Sequence, residues 1–324
     1  MHGKSLIFPL NKMDKTKWFL FKRKESYWHL KTPCQVFCNP KNISKYYLDM
    51  STRANYQGAF NEKGAFLTEY SNPVCFQEFS IHLSFYALGC ICAFEKTKKQ
   101  EFEKKFLAQA EWLVENLKNR KGFFVWEHDF DLKYYSLEKP WVSALAQGLG
   151  ISVLLRAHKS TGRKIFLKRA KQALTAFNYP VEKGSFASEL NGEIFFEEAP
   201  SPGKKPHILN GHISALFGLY DFYLATKDKN ALELFEKGVF SLEKNIELFD
   251  SGFWSKYDIL NDFFPNIASG FYHDLHIEQL KALHSITGKK IFKDYAKKWE
   301  NYKKSKPNRA IAFGLKAAHK ILIY

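Results

Sequence analysis

The pattern of apolar and polar positions divides the chain into two parts. From about residue 76 onward, apolar residues recur at i, i+3, i+4 and i+7 over long segments, which is typical of amphipathic helices. Before that point this period is missing, and Pro, Gly, Asn and aromatic residues favour short strands and turns. We therefore predict a β/turn-rich N-terminal segment over residues 1–75 that packs on a mainly α domain over residues 76–324.

The helical part contains a repeat. In each unit one helix ends, a Thr with polar or Gly neighbours follows, and a second helix begins. The hinge threonines are Thr97, Thr161, Thr226 and Thr287, at intervals of 64, 65 and 61 residues. One helical hairpin cannot cover its own apolar face, so neighbouring hairpins must stack. The repeat predicts an α/α toroid, or an incomplete α/α barrel of helical hairpins, with the short hinges gathered at one end.

The long loops of this repeat should gather at the opposite end and carry function. They are residues 122–141, 180–207 and 250–271, which are rich in Trp, Tyr, His and acidic residues. The second includes SELNGEIFFEE, which predicts a β-hairpin turning at Asn191-Gly192. The third leads into a predicted helix that begins at Phe271-Tyr272-His273. Its aromatic and polar residues indicate the wall of a reaction site.

The charge of the chain favours a polyanionic partner. Lys and Arg number 49 against 33 Asp and Glu, a formal net charge of +16. Such a field attracts nucleic acids, acidic polysaccharides and anionic membranes. No zinc-finger, RNP or basic-zipper pattern occurs, so nucleic acid is not the favoured polyanion and we expect no nucleic-acid partner.

The remaining composition bears on the compartment. No run of about 18 apolar residues occurs, and the basic N-terminus has no continuous apolar core, so we expect no membrane span and no signal peptide. The 5 cysteines are odd in number and follow no four-ligand metal spacing, which favours buried thiols in a reducing compartment. We expect a cytoplasmic protein.

Several residue clusters are candidates for chemistry. Glu127, His128, Asp129 and Asp131 form one cluster that suits metal ligands or glycosidase acids, but a solvated loop is the favoured interpretation. His273 and His276 have helical spacing without an HExxH pattern, so hydrogen-bonded histidines are favoured and no metal is expected. No dinucleotide, Walker or nucleophile-elbow motif occurs.

Glu197 and Glu198 follow two phenylalanines in a predicted strand, so their carboxylates should point to opposite faces. One of them can then be buried while the other stays wet. A desolvated Glu has a raised pKa and can serve as a base near neutral pH, whereas a salt bridge at the rim is the simpler alternative.

A set of motifs in this order resembles a known family. The motifs are PWVSALAQGLG from Pro140, FFEEAP from Phe195, LNGHISALFGLYD from Leu209, YD at Tyr257 and YHDLHIEQL from Tyr272. Together, over residues 140–305, they resemble the C-terminal domain of the glucuronyl C5-epimerases. Those enzymes convert glucuronate to iduronate within heparan sulfate and heparin precursors.

The resemblance implies catalytic roles for Glu198, Tyr257 and Tyr272 and a substrate contact for Asn210. It also implies an acidic polysaccharide as substrate, C5 proton abstraction and reprotonation from the opposite face without a cofactor, and a homodimer. Asn266 joins the tyrosines as a further substrate contact in the site wall.

Two positions depart from the family pattern. Ala199 stands where the family has Tyr, and Leu260 stands where the family has an Arg suited to gripping the uronate carboxylate. Another basic group must therefore bind that carboxylate, and the hypotheses are Arg53, Lys256 and His273.

Other functions remain open at this point. A polysaccharide lyase shares the same first proton transfer, and a glycoside hydrolase would need a second carboxylate such as Asp129 opposite Glu198. A non-catalytic binder of acidic polysaccharide would also fit, with Ala199 and Leu260 as marks of lost activity.

Overall fold

The computed structural model describes residues 45–70, 75–260 and 264–322, together with Cys34, Val36 and Ile43. Within these residues the fold is mainly helical, as the apolar period predicts. The helices are α1 Ser80–Thr97, α2 Gln100–Glu115, α3 Ala144–Thr161, α4 Lys164–Leu174, α5 Leu209–Thr226, α6 Lys229–Asn245, α7 Gly270–Thr287, α8 Lys290–Lys304 and α9 Lys306–Leu322. The strands are β1 Thr68–Glu69, β2 Phe76–Gln77, β3 Lys118–Arg120, β4 Phe123–Val125, β5 Ala187–Leu190 and β6 Glu193–Phe196, paired antiparallel in sequence order.

The first eight helices form four hairpins, and the predicted hinge threonines are the last residues of α1, α3, α5 and α7. Thr161 shows their shared geometry: its Oγ1 donates to Ala157 O at 2.7 Å and accepts from the backbone N–H of Arg163 at 3.3 Å. Thr97, Thr226 and Thr287 make the same two bonds. One hydroxyl therefore satisfies a carbonyl at the end of one helix and fixes the entry to the next.

The two helices of each hairpin differ in burial. In α3, every residue from Ala144 through Ala157 is buried, whereas α4 buries only the stripe Phe166, Ala170, Ala173 and Leu174. The inner helices α1, α3, α5 and α7 pack side by side in chain order, and the amphipathic partners cover them. This is the toroid-like arrangement of hairpins that the repeat predicts.

Two glycines let the inner helices α3 and α5 touch through their backbones. A Cβ added to Gly218 would lie 2.4 Å from Gly148 Cα, and a Cβ on Gly148 would lie 2.5 Å from Ser214 O. These glycines belong to the AQG and GLYD parts of the sequence motifs. Their place in the pattern thus has a packing cause.

The described part of the N-terminal segment packs on this helical core. Tyr47 stacks on Phe217 of α5 with ring centroids 4.4 Å apart and donates a hydrogen bond to Asp221 Oδ1 at 2.9 Å. β1 pairs with β2, so this small hairpin spans the predicted boundary at residue 75. No helix in the described ranges combines the length and apolar character needed to cross a bilayer.

Candidate active site

The site is built at the end of the hairpins where the long loops lie. The predicted hairpin is present: β5 and β6 turn through Asn191 and Gly192, whose φ angles are 51° and 80°. Glu197 and Glu198 follow β6 directly. Glu197 is fully buried and accepts hydrogen bonds from Ser188 Oγ at 2.5 Å and from the backbone N–H of His207 at 3.0 Å. Glu198 remains partly exposed, so the two carboxylates part as the sequence predicts.

Glu198 lies between two hydrogen-bond donors. Asn210 Nδ2, in the first turn of α5, donates to Oε2 at 3.0 Å, and the Tyr257 hydroxyl donates to Oε1 at 3.3 Å. Burial raises the pKa of Glu198 to about 8, against the lowering effect of these two bonds, and the negative charges of Asp258 and Glu197 raise it further. A carboxyl group with this pKa can accept and return a proton near neutral pH.

Gly211 explains how Glu198 comes so close to α5. A Cβ on Gly211 would lie 2.4 Å from Glu198 Cβ and 2.6 Å from Oε2. The LNG motif therefore has two functions: its Asn holds the carboxylate, and its Gly leaves the space that the Glu198 side chain occupies.

Tyr257 joins Glu198 to the third candidate. Its backbone N–H donates to Asn266 O at 2.7 Å and its carbonyl accepts from the N–H of Leu209 at 3.2 Å, which ties the loop to the start of α5. Tyr272 lies in the first turn of α7, where the N-cap residue Ser269 accepts from the Tyr272 N–H at 3.4 Å. The two tyrosine rings meet edge to face with centroids 4.6 Å apart. Glu198, Tyr257 and Tyr272 thus come together from three separate segments.

Asn266 stabilises the loop of residues 250–271 through buried hydrogen bonds. Its Nδ2 donates to Asp258 Oδ2 at 2.6 Å, and Asp258 also accepts from the Tyr135 hydroxyl at 2.8 Å. Both Asn266 and Asp258 are buried. The predicted substrate contact Asn266 is therefore placed in a buried network that links the loop of residues 250–271 to the loop of residues 122–141.

The structure corrects the expectation that His273 is a cation for substrate. His273 is fully buried, stacks on Trp254 with centroids 3.7 Å apart, and contacts Ser255 Oγ and Trp299 O at 2.8 and 3.0 Å. Burial lowers its pKa to about 3, so the ring is neutral at physiological pH. Its role is to pack the start of α7.

The other two proposed cations lie differently. Arg53 is buried, with its guanidinium carbon 4.6 Å from the centroid of the Phe85 ring and 6.0 Å from that of Phe271, the neighbour of Tyr272. Lys256 donates its backbone N–H to Phe249 O at 2.8 Å and forms a bridge with Ile267.

A different lysine is placed at the site. Lys316 of α9 holds its ammonium nitrogen 5.6 Å from the centroid of the Tyr257 ring and 2.6 Å from Asn266 Oδ1. The helical period of residues 306–322 sets Ala312, Leu315 and Lys316 on one face. That signal predicts a buried face, but it does not identify the loop on which the face packs.

The acidic cluster of the first long loop does not converge on this site. His128 is buried against Trp141 and Phe79, so the solvated-loop interpretation is wrong for this residue. Asp129 is a surface residue: 83% of its side chain is exposed, and its Oδ1 lies 3.9 Å from Lys139 Nζ. Among the residues that the structure describes, no three His, Cys, Asp or Glu side chains are grouped so as to hold a metal ion.

A carboxylic acid and two phenols that meet at the loop end of an α/α hairpin array define a candidate proton-transfer site. The family model for the D-glucuronyl C5-epimerase C-terminus matches residues 118–301, more than half of the chain. The chain belongs to this family.

Two relatives place the match. A D-glucuronyl C5-epimerase of Caenorhabditis elegans is 33% identical over 239 residues, which cover 68% of this chain and 37% of that protein. An uncharacterised protein of Methanocaldococcus jannaschii is 34% identical over 181 residues, which cover 55% of this chain and 57% of that protein. The matched region thus spans less than two thirds of the length of either relative.

Proposed function

We propose that the protein is a uronate C5-epimerase that acts on glucuronate residues within an acidic glycan of the heparosan type. The observation that carries the proposal is the meeting of Glu198, Tyr257 and Tyr272, in which Tyr257 hydrogen-bonds Glu198 and contacts the ring of Tyr272. The family membership and the net charge of +16 support the same substrate class.

The chemistry needs a base and an acid on opposite faces of one sugar. The C5 proton moves to the Glu198 carboxylate, and the electron pair of the broken C5–H bond enters an enediolate with the adjacent carboxylate. The Tyr272 phenol then donates its proton to the other face of C5, which inverts the configuration and leaves a tyrosinate. Proton exchange with solvent restores both groups, and Tyr257 holds Glu198 in place through its hydrogen bond. No step requires a cofactor.

The raised pKa of Glu198 suits this role. A carboxylate with a pKa near 4.5 is a weak base toward a carbon acid, whereas one with a pKa of about 8 is stronger and is still partly ionised at neutral pH. The N-terminal ends of α5 and α7 lie beside Glu198 and Tyr272, and their dipoles favour the negative charge that develops on the enediolate.

The test is proton exchange at C5. The purified protein is incubated with heparosan in D2O, and the H5 signals of the uronates are followed by NMR. We expect deuterium at C5, iduronate signals and unchanged chain length. Glu198→Gln and Tyr272→Phe should each lower the exchange rate by about 10²–10⁴-fold, the range of general acid–base catalysis.

The same spectra separate the alternatives. New unsaturated ends identify a lyase, and shortened chains with saturated reducing ends identify a hydrolase. Saturable binding without exchange identifies a non-catalytic binder and overturns the epimerase. Tyr220→Phe is a suitable control, since Tyr220 is a buried tyrosine of α5 that packs against Phe235 away from Glu198.

A further inference from the structure

The C-terminal helix brings a cation to a site that the sequence motifs leave without one. Enediolate formation places a second negative charge beside the uronate carboxylate, so a positive group must lie near it. The family's Arg position holds Leu260 here, His273 is buried and neutral, and Arg53 is buried with its guanidinium over the Phe85 ring. The matched family region ends at residue 301, before α9 begins at Lys306.

α9 covers the catalytic tyrosines with one face. Ala312 is buried in a cluster with Trp254, Ile267 and Ala268, and Leu315, Tyr257 and Tyr272 pack against that cluster. Lys316 follows Leu315 directly and reaches the Tyr257 ring and Asn266 from this face. The hydrophobic contacts of α9 therefore fix where the ammonium group lies.

The ammonium group of Lys316 is suited to an anionic ligand. Among the described residues it donates one hydrogen bond, to Asn266 Oδ1, while an ammonium group has three N–H donors. The Tyr257 ring lies between Lys316, over its centroid, and Glu198, at its hydroxyl. Lys316 and Glu198 therefore contact the same tyrosine, one at the face of its ring and the other at its hydroxyl.

We propose that Lys316 is the group that binds the carboxylate of the reacting uronate. This inference rests on the proposed function for the identity of the substrate. The carboxylate accepts hydrogen bonds from the ammonium group of Lys316, while Glu198 and Tyr272 transfer protons at C5. Burial lowers the pKa of Lys316 to about 8, with Lys320 lowering it further and Asp258 opposing, so a bound carboxylate would also stabilise the charged form.

The test compares binding of two ligands to three proteins. The ligands are a heparosan oligosaccharide and the same oligosaccharide with its carboxylates reduced to alcohols. The proteins are the wild type, Lys316→Met and Lys320→Met, a matched control because Lys320 lies one turn further along α9 and is exposed. Dissociation constants are measured by calorimetry at pH 7, and circular dichroism verifies that each variant is folded.

We expect the wild type and Lys320→Met to bind the carboxylate form at least about tenfold more tightly than the reduced form, a ratio worth about 1.4 kcal/mol. Lys316→Met should bind the two forms equally. If it weakens both ligands by the same factor and keeps the wild-type preference, Lys316 has a structural role and the proposal is wrong. A wild type without preference for the carboxylate form overturns it as well.

The C5 exchange assay keeps the two proposals distinguishable. If the wild type prefers the carboxylate form but shows no exchange, and Lys316→Met lacks that preference, the epimerase is overturned and the anion site stands. If the wild type exchanges C5 and Lys316→Met retains at least half of that rate and the full preference, the epimerase stands and the role of Lys316 is overturned. The expected result is a loss of exchange of about 10²–10³-fold, as for a lost oxyanion donor.

Discussion

At the residue scale, the pH dependence of turnover follows from Glu198 and Lys316. Burial raises the pKa of Glu198 to about 8, against the hydrogen bonds from Tyr257 and Asn210, which lower it. Burial also lowers the pKa of Lys316 to about 8, and the charge of Lys320 lowers it further. Below pH 8 Glu198 is increasingly protonated and cannot accept the C5 proton, so kcat/KM should fall up to tenfold per pH unit. Above pH 8 Lys316 loses its charge and the rate should fall again. We therefore expect a narrow bell with its maximum near pH 8.

The two limbs can be assigned by one substitution. Lys316→Arg keeps its charge at all accessible pH values, so the alkaline limb should move upward while the acid limb stays in place. The measurement is the initial rate of C5 exchange from pH 5.5 to 10 in buffers of constant ionic strength. A profile that is flat between pH 6 and 9 would contradict the raised pKa of Glu198.

The sequence predicts the three side chains that meet at the candidate site better than the residues that hold them in place. Glu198, Tyr257 and Tyr272 lie in motifs whose order resembles a known family, and the structure places them together. The sequence does not predict the places of Asn266 and His273 in the same way. A polar residue has the same appearance in a sequence whether its side chain faces a substrate or a buried partner. Lys316 was missed since its place depends on how α9 docks on the loop, a contact between positions about 60 residues apart.

At the scale of elements, the approach of α5 to the segment after β6 sets the position of Glu198. Gly211→Ala would place a methyl carbon 2.4 Å from Glu198 Cβ, nearer than side-chain atoms can approach. Because a change of rotamer cannot move Glu198 Cβ, the backbone after β6 must shift, so we expect α5 to form and the Glu198 carboxylate to be displaced. The C5 exchange rate should fall about 10²-fold, the effect of a misplacement of about 1 Å.

Two measurements separate displacement from unfolding. The unfolding midpoint of Gly211→Ala in urea should fall, because the backbone after β6 must shift, but its circular dichroism under the assay conditions should be unchanged. The matched control is Gly314→Ala in α9, where an added Cβ meets nothing within 4 Å, so activity should be retained. Full activity of Gly211→Ala would contradict the prediction, since it would mean that the close packing of Gly211 on Glu198 is not needed for exchange.

The hairpins illustrate which elements a sequence can predict. Each hinge threonine donates to a carbonyl of its own helix and accepts from the N–H two residues further on. The same local hydrogen bonds therefore recur once in every hairpin, which makes the repeat visible in the sequence. The inner and outer helices are likewise distinguishable, since residues 144–155 of α3 include no charged residue while α4 has a single apolar stripe. The pairing of β1 with β2 across residue 75 was not predicted, because strands of two residues carry no period.

At the scale of the whole molecule, one buried ion pair joins the N-terminal segment to the helical core. Arg156 of α3 and Asp221 of α5 lie 2.5 Å apart with side chains 3% and 1% exposed. The Tyr47 hydroxyl donates to Asp221 Oδ1, and Arg156 Nη2 donates to Lys45 O at 3.2 Å. The charged pair therefore holds two inner helices and the preceding segment at a single point.

Asp221→Ala should destabilise the whole fold. It leaves the Arg156 guanidinium buried without its counter-ion and removes the acceptor of Tyr47, so we expect the free energy of unfolding to fall by about 3–5 kcal/mol. Urea denaturation followed by tryptophan fluorescence measures the change. Glu233→Ala, which breaks the exposed pair with Lys237 on α6, should cost less than about 1 kcal/mol under the same conditions.

A double substitution decides whether the charge itself causes the loss. Arg156→Met with Asp221→Leu removes both charges and fills much of the volume, and such replacements of buried pairs are often neutral or stabilising. The double variant should therefore be more stable than Asp221→Ala. If it is equally unstable, the packing of Tyr47 on Phe217 and Asp221 holds the segment instead, and the ion pair is secondary. A cost below about 1 kcal/mol for Asp221→Ala would mean that water reaches Arg156 once its partner is removed.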